Sequence, residues 1–143
     1  MSVKVEKFKK KHLNHFKLQP LQKCFANDLD DKESIKFFED YFYTLIKDDK
    51  VLGFGSIIPE SDDVGQASVF LSEDLKRDMI YVHKHCVKFL KYTPFRRIFM
   101  RCHVDFSASL IWAQHLGFEF EGIEKEYIKG HDFARFAMIK DVH

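Results

Sequence analysis

Two side chains stand out for chemistry. His103 lies near the end of a largely apolar run, Arg97–Val104, and an imidazole can take or give a proton near neutral pH. Glu73 stands where a β-rich run, Gln66–Leu71, gives way to a helical one, and its carboxylate is the other candidate general base. Cys102 adjoins His103, but neighbours on a strand point to opposite faces, so the two do not make a nucleophile pair. His83, His85 and Cys86 invite a metal reading. On a helix positions 83 and 85 face apart, position 86 falls on the apolar stripe, and no partners stand elsewhere at ligand spacing, so no metal is expected. Tyr127 and Phe133 are expected to pack.

These residues need elements to hold them. Val3–Phe8 reads as a short first strand. His12–Ala26, interrupted by Pro20, suggests two short helical pieces. Ile35, Phe38 and Phe42 have helical spacing, which predicts a helix over Glu33–Phe42. Tyr43–Lys47 and Val51–Ile58, separated by Asp48-Asp49-Lys50, read as a hairpin. Gly53 and Gly55 suggest a bulge or a close neighbour. Leu75–Lys91 is the clearest helix, with Leu75, Met79, Val82, Cys86 and Phe89 on one stripe and Leu90 beside it. Ser72 is expected to cap its start, and Thr93-Pro94 to end it. The Arg97–Val104 run suits the middle of a sheet. Ser107 is expected to cap a helix that runs to Leu116 and stops at Gly117. Phe118–Ile128 and Phe133–Ile139 are two last strands joined at Lys129-Gly130. The order β, α, α, β, β, β, α, β, α, β, β predicts one α/β (α+β) domain over residues 1–143. Its mixed sheet has about six or seven strands, flanked by about four helices. The strand–helix–strand units are expected to pair parallel strands or leave them side by side.

The bulk properties narrow the function classes. At 143 residues the chain can bury a core. It carries 16 Phe, so aromatic packing should dominate there. Net charge is +1, which gives no global field for nucleic acid or an anionic membrane. The basic run Lys7, Lys9, Lys10, Lys11 and the acidic run Asp28, Asp30, Asp31 read as solvated turns or strand ends, and nucleic acid is not an expected partner. Cys24, Cys86 and Cys102 cannot all pair and are read as reduced thiols. No long apolar run exists and the charged start leads into no signal-peptide core, so a cytoplasmic protein is expected.

Ala108-Ser109-Leu110-Ile111-Trp112-Ala113-Gln114-His115-Leu116-Gly117-Phe118-Glu119-Phe120-Glu121-Gly122 resembles the short helix, Leu-Gly-Phe and following strand of GNAT (GCN5-related) N-acetyltransferases. Lys125–Tyr127, Gly130-His131-Asp132 and Phe136–Ile139 resemble that family's closing hairpin. The likeness covers residues 66–140 and is topological before them. The chain also resembles small GNAT-like proteins of tailed bacteriophages, the T7-type internal virion protein among them. They share its length, a glycine-poor loop and a long charged helix.

The resemblance implies transfer of an acetyl group from acetyl-CoA to an amine, on a small molecule or a protein. In the family, main-chain N–H groups at the start of the long helix hold the pyrophosphate, usually at Arg/Gln-x-x-Gly-x-Gly/Ala. That implies cofactor contacts from Ser72, Leu75, Lys76, Arg77 and Asp78, with Ser107 at the next helix start. Leu71–Ile80 departs from the pattern: it has no glycine and carries Glu73, Asp74 and Asp78. The tyrosine that protonates the leaving thiolate in many members is replaced by Ala113, and Asp105 or Ser107 stands near the usual asparagine. The family position of the last hairpin makes Tyr127 a substrate contact. The phage likeness implies an alternative, a non-catalytic protein of the virion or host cytoplasm with a phage or host protein as partner. A monomer or homodimer is expected, without a membrane.

Overall fold

A computed structural model describes residues 3–23 and 31–140. Cys24, Asp28, Asp30 and the end of the piece expected up to Ala26 lie outside them. The described residues form an α/β fold, a mixed seven-stranded sheet with three α-helices. The strands are β1 Val3–Lys7, β2 Tyr43–Lys47, β3 Lys50–Pro59, β4 Val64–Leu71, β5 Arg97–His103, β6 Glu119–Ile128 and β7 His131–Ile139. Their order is β1-β2-β3-β4-β5-β7-β6. The helices are α1 Lys32–Tyr41, α2 Met79–Tyr92 and α3 Ser107–His115. Packing divides the chain into two compact units: Met1–Ser56 with Val69–His85, and Ile57–Ser68 with Cys86–His143.

The first unit is built on phenylalanine. Phe8, Phe38, Phe42 and Phe54 are buried, with ring centroids 5.1 Å apart for Phe8–Phe54 and 4.4 Å for Phe38–Phe42. Edge-on and tilted pairs of this kind add to area burial. The two short helical pieces expected around Pro20 are 3₁₀ helices, Lys10–Leu13 and Pro20–Gln22, rather than α-helices. Proline and short polar spacing leave no room for α-type hydrogen bonding there. Asp31 caps α1 by accepting from the Ser34 amide at 2.9 Å. Asp48 and Asp49 both take positive φ, 47° and 67°, between the paired Lys47 and Lys50. That is the two-residue hairpin turn whose twist suits the strands, carried by aspartates that tolerate the left-handed region. The register slips between Leu45 and Ile46, so the expected bulge is present. Gly53 is also a close neighbour, since a Cβ there would lie 2.6 Å from the Phe70 carbonyl oxygen.

Helix α2 starts four residues later than its periodicity predicts. Lys76 has φ +49°, which no α-helix accommodates, and a 3₁₀ turn, Lys76–Asp78, intervenes. Ser72 does not cap it, because α2 begins only at Met79; the Ser72 hydroxyl instead accepts from the Asp74 amide at 3.4 Å and donates to the Asp74 carboxylate. Phe89 is exposed rather than on the buried stripe, where Leu90 takes its place.

In the second unit β5 is central, paired in parallel with β4 (Val64↔Arg97 to Gln66↔Phe99) and antiparallel with β7 (Arg97↔Ile139 to His103↔Phe133). The β5–α3–β6 unit does not leave its strands side by side. The final hairpin folds back, so β7 pairs with β5 and β6 becomes the edge. Two register shifts interrupt β6, at Phe120/Gly122 and Glu124/Ile128. The core holds Leu90, Ile98, Met100, Cys102, Ala113, Phe118, Ala134 and Phe136. Ser107 is the first residue of α3, not its cap; Phe106 precedes it and makes no side-chain cap bond. Gly117 ends that helix with φ +102°, as the Leu-Gly-Phe pattern predicts. At the end of α2 the Lys140 ammonium donates to the carbonyls of Leu90 at 2.9 Å and Thr93 at 2.5 Å.

Candidate functional site

The junction between β4 and α2 carries six of the residues the sequence singles out. Ser72 is buried, held by its amide on the Leu52 carbonyl at 3.0 Å. Glu73 is exposed in the turn and its amide donates to the Lys17 carbonyl at 2.8 Å. Leu75 is buried and helical, with φ −61° and ψ −44°, and Lys76 then turns left-handed. A right-handed residue followed by a left-handed one tips three successive N–H groups, here of residues 75–77, toward one side. Such a nest is a concavity for an anion. The side chains of Lys76 and Arg77 are exposed beside it.

Asp78, just before α2, does not face this turn alone. Its carboxylate is 2.7 Å from the Lys47 ammonium and 3.7 Å from that of Lys50, both on the β2–β3 hairpin. The hydrogen bond from Lys47 holds the Asp78 carboxyl below its usual range and pushes Lys47 up. The Ser72 hydroxyl, then Lys50, lower Asp74. Two of the three acidic side chains that depart from the family pattern are thus tied to neighbours.

A second cluster sits where β5 ends and β7 begins. His103 is buried. Its Nδ1 accepts from the Asp105 amide at 3.1 Å, and its Nε2 is 2.8 Å from Nδ1 of His131. A backbone amide can only donate. In the neutral pair His103 therefore carries its proton on Nε2 and gives it to His131 Nδ1, which leaves His131 with an N–H at Nε2. Both nitrogens of His103 are engaged, and the pair presents a donor. Phe133 packs edge-on against His103 at 5.3 Å and against Tyr127 at 5.6 Å, so these two predicted residues share one neighbour. The Arg101 guanidinium covers Tyr127 at 4.2 Å. Ser107 is exposed at the start of α3, and Ala113 is fully buried within it.

A third cluster has no sequence signature. His12, buried, donates from Nε2 to the Glu6 carboxylate at 2.7 Å, and its Nδ1 accepts from the Lys9 amide at 3.0 Å and the Thr44 hydroxyl at 2.8 Å. Carboxylate, imidazole and hydroxyl thus stand in line, but Thr44 is fully buried and reaches no substrate. The His12 bond lowers the Glu6 carboxyl. Glu6, His12, Ser72 and Asp74 border one cleft of about 460 Å³. His12 and Thr44 are 32 residues apart, and nothing in their local patterns links them. No group of three or more metal-ligating side chains occurs among the described residues.

No protein-family model matches the chain, and no curated protein matches its sequence. Solved structures do match its fold. A GNAT-family acetyltransferase from Bacillus cereus superposes with TM-score 0.72 at 17% identity, over 99% of this chain and 100% of that one. An IAA acetyltransferase, also from Bacillus cereus, gives 0.69 at 17% identity over 97% and 100%. A ribosomal-protein alanine N-acetyltransferase from Escherichia coli gives 0.70 at 14% identity over 99% and 96%. The fold is that of GNAT acetyltransferases.

Proposed function

We propose that this protein is an N-acyltransferase that takes acetyl-CoA and acetylates an amine by direct transfer. The observation that carries the reading is the left-handed turn at Lys76 after right-handed Leu75, the backbone sequence of an anion nest, just before α2 in a GNAT fold. The family places glycine in this loop; here a lysine supplies the turn. The residues fit a diphosphate: N–H groups of residues 75–77, the first turn of α2, and the Lys76 and Arg77 side chains would hold it. Asp78 and Ser72 keep the loop in shape through Lys47, Lys50 and Asp74. Acetyl-CoA, when bound, supplies the thioester-linked acetyl group.

Attack needs an amine without its extra proton. Glu73 is the residue proposed to accept that proton, since its carboxylate is exposed at the end of β4. His103 is proposed to act through His131, fixing which nitrogen of that ring carries hydrogen. Tyr127, held between Phe133 and Arg101, is proposed to contact the acceptor, and Ser107 to lie beside the cofactor arm. One structural neighbour is a ribosomal-protein alanine N-acetyltransferase, and the acceptor proposed here is likewise an amine, on a protein or a small molecule. The test is a thermal shift with acetyl-CoA and with CoA. At 100 times the dissociation constant stabilisation should reach about 2.7 kcal/mol, about 9 °C for a chain of this size. No shift at millimolar concentration of either compound would sink the reading.

A second reading is favoured by Ala113, where no proton donor stands, and by the carboxylates of Glu73, Asp74 and Asp78. It is a GNAT-fold protein that binds a phage or host protein without turnover. Mass spectrometry of purified phage particles would find it there; turnover of an amine by the purified chain counts against it.

A further inference from the structure

Helix α2 carries no Asp or Glu from Met79 to Tyr92, in a chain with 22 acidic residues. Its exposed side is cationic. Lys84, Lys88 and Lys91 are exposed and follow at spacings of four and three, which lines them up on one uninterrupted helix. None of the three forms an ion pair among the described residues, and Lys91 instead reaches over the Tyr92 ring at 5.5 Å. At 100° per residue Ile80 and Val87 border the row on one side and Tyr92 on the other. These three are 53%, 43% and 70% exposed. The C-terminal carbonyls, which would draw cations inward, are already served by Lys140.

We infer that this face of α2 binds single-stranded nucleic acid, with phosphates along Lys84, Lys88 and Lys91 and a base stacked on Tyr92. The arrangement selects among anionic partners. A helix lying in a membrane interface buries a continuous apolar face, whereas here the charges occupy the middle of the exposed side and apolar residues its margins. An acidic peptide would use the lysines and leave the 70% exposed tyrosine idle. A row of ammonium groups beside an exposed aromatic ring, with Lys91 over one face and the other left for a base, is what a single strand needs. The near-zero net charge conceals the row, because the acidic residues lie on other elements.

The test is fluorescence anisotropy of the full chain with a labelled 15-nucleotide mixed-sequence DNA. Three phosphate contacts predict a slope of log affinity on log salt near −2, a loss of about 18-fold between 50 and 200 mM salt. Combined Lys84→Gln, Lys88→Gln and Lys91→Gln should abolish both affinity and slope, and Tyr92→Ser should cost at least about fivefold. Combined Lys9→Gln, Lys10→Gln and Lys11→Gln should change nothing. Circular dichroism of each variant verifies that α2 is intact. Absence of binding, sensitivity to the Lys9–Lys11 variant instead, or equal binding of polyglutamate or phosphatidylserine vesicles would overturn the proposal.

Discussion

Lys76 gives the sharpest test of the acyltransferase reading, because backbone shape and side-chain charge can be separated there. Its φ of +49°, after right-handed Leu75, is what makes residues 75–77 a nest. Lys76→Gly keeps that turn and that N–H while removing the charge. Lys76→Pro cannot adopt positive φ and has no N–H to give. A hydrogen bond to a charged phosphate contributes about 1.5–3 kcal/mol, so the proline variant should bind acetyl-CoA about 10- to 150-fold more weakly. The exposed lysine charge contributes about 1 kcal/mol at most, so the glycine variant should stay within about fivefold of the parent. The glycine variant should also unfold no more easily, since relief of about 1–2 kcal/mol of left-handed strain offsets the chain freedom glycine adds. Isothermal titration with acetyl-CoA measures the first pair of values and urea unfolding the second. If glycine weakens binding as much as proline, charge rather than turn geometry holds the phosphates, and the argument from the loop fails.

Three other expectations are independent of it. Lys140→Met should destabilise by about 1–2 kcal/mol, lowering the urea midpoint at constant slope, because carbonyls at the end of α2 lose a charged donor; an unchanged midpoint would show that water serves them as well. The Asp78 carboxyl is lowered by Lys47 in the folded state, so its contribution is complete above its unfolded value, near 3.8, and fades as pH falls through the lower folded value. The gap in urea midpoint between the parent and Asp78→Asn should therefore be constant at neutral pH and close below about pH 4, and a gap that survives to pH 2 would contradict the pairing. Glu73→Gln should lower kcat by about 100-fold or more while leaving the acetyl-CoA dissociation constant within about twofold; an equal loss in both would make Glu73 a structural residue of the loop.

Much of the fold is legible in the residues. Periodicity locates α1 and α2, the Asp48-Asp49 pair marks the first hairpin, and Leu116-Gly117-Phe118 marks the end of α3. Periodicity cannot see a lysine in a left-handed turn, so it starts α2 at Leu75 and assigns Ser72 a capping role that the start at Met79 removes. Nor does it weigh β7 against β6 as the neighbour of β5, which is decided by how the last hairpin closes. The candidate site is read in pieces. The loop residues follow from family likeness, but the nest they form depends on one dihedral angle. His103 is visible as a lone histidine; His131, its partner 28 residues on, is visible only once β7 lies beside β5. His12 with Glu6 and Thr44 is a product of tertiary folding alone.

The two register shifts in β6 have a consequence for how copies of this chain meet. Phe120 and Ile123 are 55% and 50% exposed on the outermost strand, a composition that invites another strand to dock. The shifts at Phe120/Gly122 and Glu124/Ile128, with Glu126 at φ +48°, interrupt the regular spacing of its outward amides and carbonyls. A ladder started there runs out within a few residues. The closing hairpin thus guards its own margin against fibre-like stacking, and a partner docking at this edge must do so through side chains rather than by extending the sheet.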